Sequence, residues 1–333
     1  MLVAVTCKWL IGDELVRRLD PTWSPTSVLP VLNGQMAMAV AIAACIWWAA
    51  RLRSADRGAS QTGWAPAGLG LVLICGLVFE TDRIIGRWEL AHATSWKPTW
   101  PPLQTRMLWW TFLSAASGLL MLLIGRRRTH RPLIETGTVL MIAAALFWLA
   151  IDTVGWRVVA GTAAAWLVLN QQFLIGVFLV LALSLAVRLI RVTPALRAAL
   201  LHVTPHPVGI PLALIAIMGL WLGSLEIDRF FAHAGSQIER AAMARQTGLS
   251  IYWGLYGIAL VAVGFARTSR WSRYGGLALL GLTLGKVLLV DMAEIRSVYR
   301  VLSLLGLGLL FVITSITYTK LAPVLLGEAS GKR

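Results

Sequence analysis

Acidic and basic side chains interrupt the long apolar runs of this sequence at a few recurring places. The tetrapeptide E-x-D-R occurs twice, as Glu80 to Arg83 and as Glu226 to Arg229, each time after an apolar stretch. Residues three apart share one face of a helix, so the glutamate and the arginine of each tetrapeptide can form an ion pair. Carboxylates and guanidinium groups in this pattern could also bind a lipid head group, a sugar or an ion.

A lysine lies inside another apolar run, which begins at Tyr274 and is closed by Asp291. Because a charged lysine is costly in lipid, Lys286 either extends its ammonium group to the interface or meets a carboxylate. Asp291 lies about 140° away around an ideal helix and is therefore a poor partner. Glu226 and Glu80, on other predicted spans, are the candidate partners.

Two interpretations of these charged residues remain open. In one, the E-x-D-R tetrapeptides form ion pairs at helix ends just outside the hydrocarbon. In the other, charged residues converge on an outward-facing polar site. The candidate residues of that site share a place at the predicted outer ends of the spans: Glu80, Asp82, Arg83, Asp152, Arg157, Glu226, Asp228, Arg229, Lys286, Asp291 and Arg300.

The composition defines the class of protein that must position these residues. Of 333 residues, 58% are hydrophobic and only 14% are charged, and the mean hydropathy is +0.74. These values predict an all-α, polytopic transmembrane helical bundle. We expect about nine spans: Val28 to Ala50, Pro66 to Arg83, Met107 to Ile124, Leu133 to Asp152, Leu167 to Val187, Val208 to Leu225, Leu249 to Ala266, Tyr274 to Val290 and Val301 to Tyr318.

Basic residues follow every second span, which is the pattern of the positive-inside rule. The N-terminus is therefore predicted outside and the C-terminus in the cytoplasm, and the net charge of +15 is interpreted as a topology signal and not as a nucleic-acid surface. Of the fifteen acids, all but Asp56, Glu135 and Glu328 fall on the predicted outer side. This segregation indicates that the outer face is the polar one.

An internal repeat organises the chain. Gly125 to Asp152 aligns without a gap with Gly264 to Asp291, and the E-x-D-R tetrapeptides precede both copies. The alignment predicts tandem four-helix units with parallel pseudo-symmetry. The predicted domains are an interfacial amphipathic segment (1–27), a first span with its cytoplasmic loop (28–65), two four-helix repeats (66–200 and 201–320) and a cytoplasmic tail (321–333).

Other polar segments of the chain have structural explanations. Asn170, Gln171 and Gln172 are interpreted as hydrogen-bonding contacts between helices, and IERAAMARQ, in an outer loop, as a short amphipathic helix. His92 and His233 lack metal-ligand spacing, and no motif for nucleophilic or nucleotide chemistry is present. We therefore predict no catalytic residue, no metal and no cofactor, and the sequence offers no positive sign of an enzyme.

The last third of the chain resembles a bacterial family of predicted membrane proteins, domain-of-unknown-function family 2339. The resemblance rests on these stretches: Leu249 to Tyr256, Arg270 and Arg273 to Gly276, Leu282 to Asp291, Tyr299 to Ser303, and Gly306 to Gly308. It implies a multi-pass protein of the bacterial inner membrane. It implies no activity, since none is established for the family.

Three functions are compatible with these features. The first is transport or handling of an envelope lipid, a glycan precursor or a small solute through the outward polar site. An enzyme acting on a lipid-linked substrate would instead need paired carboxylates facing one substrate atom. A non-catalytic membrane scaffold would have all its acids already paired. The expected partners are the lipid bilayer and a lipid or glycan ligand, with no nucleic acid, and the oligomeric state is open.

Overall fold

The computed structural model describes residues 33–56, 65–91, 102–155, 167–201, 206–233 and 238–288, together with 312, 315 and 316. All regular structure in these ranges is helical. The helices are α1 (Gly34–Asp56), α2 (Ala65–Ala91), α3 (Pro102–Arg127), α4 (Arg131–Phe147), a π-helical segment (Trp148–Gly155), α5 (Gln171–Val192), α6 (Pro194–Leu200), α7 (Gly209–His233), α8 (Ile238–Ala266) and α9 (Arg270–Lys286).

The helices fall into two compact units, which divide between His233 and Ala234. We call the part from α1 to α7 unit 1, and the part that contains α8 and α9 unit 2. The predicted domain boundaries were drawn from the repeat and remain predictions.

Several helices are long and apolar enough to cross a membrane, which confirms the predicted all-α membrane class. Among the described residues there are 5 such stretches: Gln104–Arg127, Arg131–Gly155, Gln171–Val192, Gly209–Ala232 and Ala244–Ala266. α1 adds a shorter apolar stretch, Gly34–Ala49. The count of nine spans remains a prediction, because the ninth predicted span lies almost wholly outside the described residues.

Some predicted boundaries were wrong, because hydropathy locates apolar side chains whereas a helix continues as long as its backbone hydrogen bonds are made. α2 continues to Ala91 and α7 to His233, so both E-x-D-R tetrapeptides lie inside helices and not at their ends. The stretch from Ile238 to Gln246, predicted as a separate amphipathic helix, is the first part of α8.

The fifth predicted span also begins later than expected. Asn170 has extended backbone angles, and its side chain accepts a hydrogen bond from the backbone N–H of Phe173, so α5 starts at Gln171 and not at Leu167. An asparagine in this position satisfies one of the backbone donors that every helix leaves free at its N-terminus. The cap places Asn170 at one end of α5, and Arg191 lies in its last turn.

α3 and α4 form a helical hairpin, which we call hairpin 1. Its turn holds Thr129 at a φ of 52°, and the N–H of His130 donates to the carbonyl of Gly125 at 2.8 Å. This is the Schellman arrangement, in which glycine usually occupies the left-handed position. Further along, a Cβ on Gly137 would lie 2.5 Å from the carbonyl oxygen of Gly118, so the two helices touch backbone to backbone.

α8 and α9 form hairpin 2, whose internal geometry closely matches that of hairpin 1. Thr268 has a φ of 51°, and the N–H of Ser269 donates to the carbonyl of Gly264 at 2.8 Å. A Cβ on Gly276 would lie 2.8 Å from the carbonyl oxygen of Gly257. Gly264, Thr268, Ser269 and Gly276 occupy positions that the alignment pairs with Gly125, Thr129, His130 and Gly137, and Gly257 lies 7 residues before its copy, as Gly118 does. The duplication and its parallel pseudo-symmetry remain predictions.

α4 continues directly into a π-helix that runs from Trp148 to Gly155, which the sequence did not predict. In hairpin 2 the same change occurs at Val287 and Leu288, directly after α9. A π-helix shifts the backbone hydrogen bonds by one residue and is frequent at functional sites. Here it carries Asp152, the acid that ends the first aligned copy.

Large apolar side chains fill the interior of unit 1. Trp148 is fully buried, and Gly176 on α5 makes room for its ring, since a Cβ there would lie 2.6 Å from Trp148 Cζ2. Many large apolar side chains on the outside remain exposed, as expected for helices that face lipid. The other large side chains of the core that are buried almost completely are Leu108, Leu122, Met141, Leu179, Leu183, Ile190, Leu196, Leu200 and Met218.

Candidate functional site

The first E-x-D-R tetrapeptide belongs to a cluster of buried polar side chains, the α2 cluster, formed by Asn33, Glu80 and Arg83. Asn33 precedes α1 and accepts a hydrogen bond from the N–H of Met36 at 2.8 Å. Its amide nitrogen donates to Glu80 Oε1 at 2.7 Å, and Arg83 forms an ion pair with the same oxygen. The asparagine thus caps one helix and holds the acid of another.

The second tetrapeptide forms the α7 cluster, which repeats this arrangement with Asn170, Glu226 and Arg229. The amide nitrogen of Asn170 donates to Glu226 Oε1 at 3.0 Å, and Arg229 forms an ion pair with that oxygen. Glu226 Oε2 accepts a further bond from the N–H of Val168 at 2.8 Å. Val168 has a φ of 63°, a left-handed conformation that is uncommon for a branched residue.

Both ion pairs join residues three apart, as the spacing predicts, but they lie deeper than we expected. The side chains of Arg83 and Glu80 are 3% and 5% exposed, so this pair is enclosed by other helices of the protein. The pair in the α7 cluster is also largely buried. Burial is possible because the neighbouring asparagine supplies a hydrogen bond that water would otherwise provide.

Asp152 on the π-helical segment is fully buried. Its Oδ2 lies 2.6 Å from the hydroxyl oxygen of Thr111 on α3, in a hydrogen bond, whereas its Oδ1 has no hydrogen-bond partner among the residues that the structure describes. Its backbone carbonyl accepts hydrogen bonds from two side-chain amides, Gln104 at 3.5 Å and Gln172 at 2.6 Å. Polar groups from α3 and α5 therefore meet at this one residue.

Gln172 connects Asp152 to the α7 cluster. Its amide nitrogen donates to the Asp152 carbonyl, while its amide oxygen accepts a hydrogen bond from the guanidinium group of Arg229. Beside it, the indole N–H of Trp221 donates to the hydroxyl of Thr153 at 2.8 Å. We call this connected set the buried polar network: Asn170, Glu226, Arg229, Gln172, Asp152, Thr111 and Gln104.

Two further acids of the predicted site lie buried in unit 1. Asp82 Oδ1 is 3.9 Å from Arg106 Nε, an ion pair that joins α2 to α3. Asp228 is buried on α7 between Glu226 and Arg229. Within unit 1, Asp82 thus contacts α3 directly, and Asp152 is linked to the α7 cluster through Gln172.

These groups come from the first half of α3 and the start of α5, and from the later part of α2, of α7 and of the helix that runs from α4 into the π-helical segment. The opposite ends of α3, α4 and α5 carry the arginines that the topology prediction places in the cytoplasm: Arg126 and Arg127 in the last turn of α3, Arg128 directly after it, Arg131 at the start of α4, and Arg188 and Arg191 late in α5.

Lys286 lies in unit 2 and bonds within that unit. Its ammonium nitrogen donates to the hydroxyl of Ser250 at 2.6 Å and to the carbonyl of Gln246 at 3.2 Å. The predicted carboxylate partner, Glu226 or Glu80, remains a prediction, and both acids are engaged in clusters of unit 1. Three predicted site residues lie outside the described residues: Arg157, Asp291 and Arg300.

The sequence interpretation left several contributing residues out of the candidate site. Asn33 and Asn170 are each followed by glutamine two residues later, in N-G-Q and N-Q-Q, just ahead of an apolar run. An asparagine there is a helix-start signal that could have identified both caps. Thr111 and Gln104 had no such signal, because a single threonine or glutamine in an apolar helix is common. Among the described residues, no group of three metal-ligating side chains could hold a metal ion.

The sequence model of a family described as "Predicted membrane protein (DUF2339)" matches residues 1–321, and so covers far more than the last third, which carries the resemblance described above. No curated protein and no solved structure matches the chain.

Proposed function

The chain belongs to the DUF2339 family of predicted membrane proteins, and from this premise we propose that it moves or handles an envelope lipid, a glycan precursor or a small solute through the buried polar network of unit 1. Charged side chains inside membrane helices are rare because they are costly to desolvate, and they commonly mark a substrate or ion pathway. The observation that carries this proposal is the connection of Asp152, through Gln172, to the ion pair of Arg229 and Glu226.

The π-helical segment supports the same function. Transporter binding sites are commonly formed by irregular backbone at membrane depth, where some carbonyls are free to bind other groups. The Asp152 carbonyl is such a group, because it accepts bonds from Gln104 and Gln172. An oxygen held by neutral amides can exchange those bonds for a polar ligand at lower cost than an oxygen held in an ion pair.

A membrane scaffold is the second candidate, and the pairing of the acids favours it. Glu80 and Glu226 are each held by an arginine and an asparagine, and Asp82 is paired with Arg106. In a scaffold these pairs would only join helices. Asp152 distinguishes the two functions, since within the described part of the chain its Oδ1 has no hydrogen-bond partner.

We propose that the protein lies in the bacterial inner membrane with its N-terminus outside and its C-terminus in the cytoplasm. The arginine-rich helix ends support this orientation through the positive-inside rule. The buried polar network would then lie towards the outer leaflet. A fluorescent protein that folds only in the cytoplasm, fused after Arg333, is expected to fluoresce. A dark fusion at normal membrane levels would contradict the orientation.

The proposed function can be separated from a scaffold with a variant that removes both charges of the α7 cluster. Glu226→Gln combined with Arg229→Met keeps the shape of the pair, and replacing a whole buried ion pair by neutral groups is often harmless to stability. The matched control is Glu135→Gln with Arg131→Met, which removes a pair at the opposite end of unit 1, where Arg131 Nε and Glu135 Oε1 are 2.7 Å apart.

The readout is the lipid and glycan-precursor content of each membrane leaflet in a deletion strain that expresses one variant. We expect wild type and the control to restore the normal distribution, and the α7-cluster variant to leave it disturbed although it is present at normal levels. Restoration by a well-folded α7-cluster variant would support the scaffold and overturn the proposed function.

A further inference from the structure

A hydroxyl group that bonds to two partners donates its single proton to one of them and accepts a hydrogen bond from the other. If one partner can only donate, the direction of both bonds is fixed. The Thr153 hydroxyl oxygen is 2.8 Å from the indole nitrogen of Trp221 and 2.7 Å from the carbonyl of Leu149, one turn back in its own helix. An indole N–H can only donate, so Thr153 accepts from Trp221 and gives its own proton to Leu149. Both contacts are then satisfied.

Ser250 in hairpin 2 follows the same rule. Its hydroxyl oxygen is 2.6 Å from the ammonium nitrogen of Lys286 and 3.0 Å from the carbonyl of Gln246, one turn back. An ammonium group can only donate. Ser250 therefore accepts from Lys286 and donates to Gln246.

Thr111 precedes Gly125, the start of the first aligned copy, by 14 residues, and Ser250 precedes Gly264, the start of the second copy, by the same 14 residues. Its hydroxyl oxygen is 3.1 Å from the carbonyl of Met107, one turn back, and 2.6 Å from Asp152 Oδ2. A hydroxyl carries one proton and can donate only once. Both contacts are hydrogen bonds at the same time only if the Asp152 carboxyl carries a proton and donates it to Thr111.

The surroundings of Asp152 favour the neutral form as well. The carboxyl is fully buried, and among the described residues it forms no ion pair. An isolated carboxylate in such a place is strongly disfavoured. Asp152 shares its own helix with the ion pair Arg131 and Glu135 at the far end. The neighbouring helices carry these charged groups at the same end: Arg106 on α3, Glu226, Asp228 and Arg229 on α7, and Glu80, Asp82 and Arg83 on α2. Three ion pairs join them: Arg106 with Asp82, Arg229 with Glu226, and Arg83 with Glu80.

We propose that Asp152 is a proton-binding site and that its proton is the coupling ion of the transport proposed above. The coupling role rests on the proposed function, whereas the proton-binding site does not. In the loaded form the carboxyl O–H donates to Thr111, which donates to Met107. On release the O–H bond breaks, the proton passes to water, and the carboxylate remains. The Thr111 hydroxyl then turns its single proton from the Met107 carbonyl to Oδ2.

The test is infrared spectroscopy of the full-length protein in lipid vesicles, because a protonated carboxyl has a carbonyl stretching band that a carboxylate lacks. We expect the wild type to show this band at neutral pH, with a shift in heavy water. Asp152→Asn should remove it, and the fold should persist since the amide N–H can donate to Thr111. Glu135→Gln, which changes a buried acid of the same helix that is paired with Arg131, should leave the band intact.

Thr111→Val provides a second signature that a purely structural role would not produce. Removing the acceptor should keep the band but move it to higher frequency, because the carboxyl loses the hydrogen bond that it donates. Absence of the band in the wild type, or its persistence in Asp152→Asn, would overturn the site. A band that behaves as expected, in a protein whose α7-cluster variant still restores the deletion strain, would support the site and overturn its coupling role.

Discussion

Hairpin 1 and hairpin 2 share their construction and differ in the charge that they bury. Both turn through a threonine with positive φ, and both bring two glycines into backbone contact. Both also place a hydroxyl that bonds to the carbonyl one turn back, Thr111 in one and Ser250 in the other. The partner of that hydroxyl is the acid Asp152 in hairpin 1 and the base Lys286 in hairpin 2.

The same arrangement of turn, glycine contact and hydroxyl, which we call the shared frame, can therefore hold either a buried acid or a buried lysine. A hydroxyl that donates to the carbonyl one turn back in its own helix can accept a hydrogen bond either from a lysine ammonium group or from a protonated carboxyl group. Phe147 occupies the position in hairpin 1 that Lys286 has in hairpin 2, so the alignment alone would not suggest that the equivalent hydroxyls both have an ionisable partner. The shared frame and the differing partner can be tested separately.

The largest expected effect is on the shared frame, at the glycine contacts. Gly137→Ala and Gly276→Ala should each lower the free energy of unfolding by about 3 kcal/mol, because the new Cβ would press against the backbone of the facing helix. Thermal unfolding in detergent micelles measures the loss. Gly254→Ala is the control, since a Cβ there meets nothing within 4 Å, and it should not destabilise. If all three variants unfolded alike, backbone contact would not be what holds the hairpins together.

A smaller effect is expected at the differing hydroxyls. Thr111→Val should cost about 2 kcal/mol, since it leaves the buried Asp152 carboxyl without its hydrogen bond. Ser250→Ala should cost about 1 kcal/mol, because Lys286 keeps its bond to the Gln246 carbonyl. The same unfolding measurement decides between them. Equal losses in the free energy of unfolding would mean that Asp152 and Lys286 depend equally on their hydroxyl partners, which would contradict the predicted difference between the hairpins.

The smallest effect is expected at the turns, and it should be a gain. Thr129→Gly and Thr268→Gly should each stabilise the protein by about 1 kcal/mol, because glycine adopts a positive φ without the steric cost that threonine bears. Thr129→Ala keeps a Cβ in the left-handed conformation and serves as the control without gain. A gain in one hairpin only would show that the turns, despite their matching angles, are held differently.

Part of this structure could be predicted from the sequence, because its causes are local. The apolar content indicates membrane helices, and the spacing in E-x-D-R indicates an ion pair within one helix, as Glu80 and Arg83 show. The burial of that pair could not be predicted, since it depends on Asn33, far away in the chain. The contact between Thr111 and Asp152 likewise depends on a π-helical segment that no hydropathy pattern reveals.

The most direct test of the account is whether Asp152→Asn restores the deletion strain, compared at equal membrane levels with Glu135→Gln. In the proposed mechanism the buried polar network depends on the ionisable carboxyl group of Asp152, and not only on a side chain of that size and shape. This mechanism predicts that Glu135→Gln restores the normal distribution of lipids and glycan precursors and that Asp152→Asn does not. Full restoration by Asp152→Asn would contradict it.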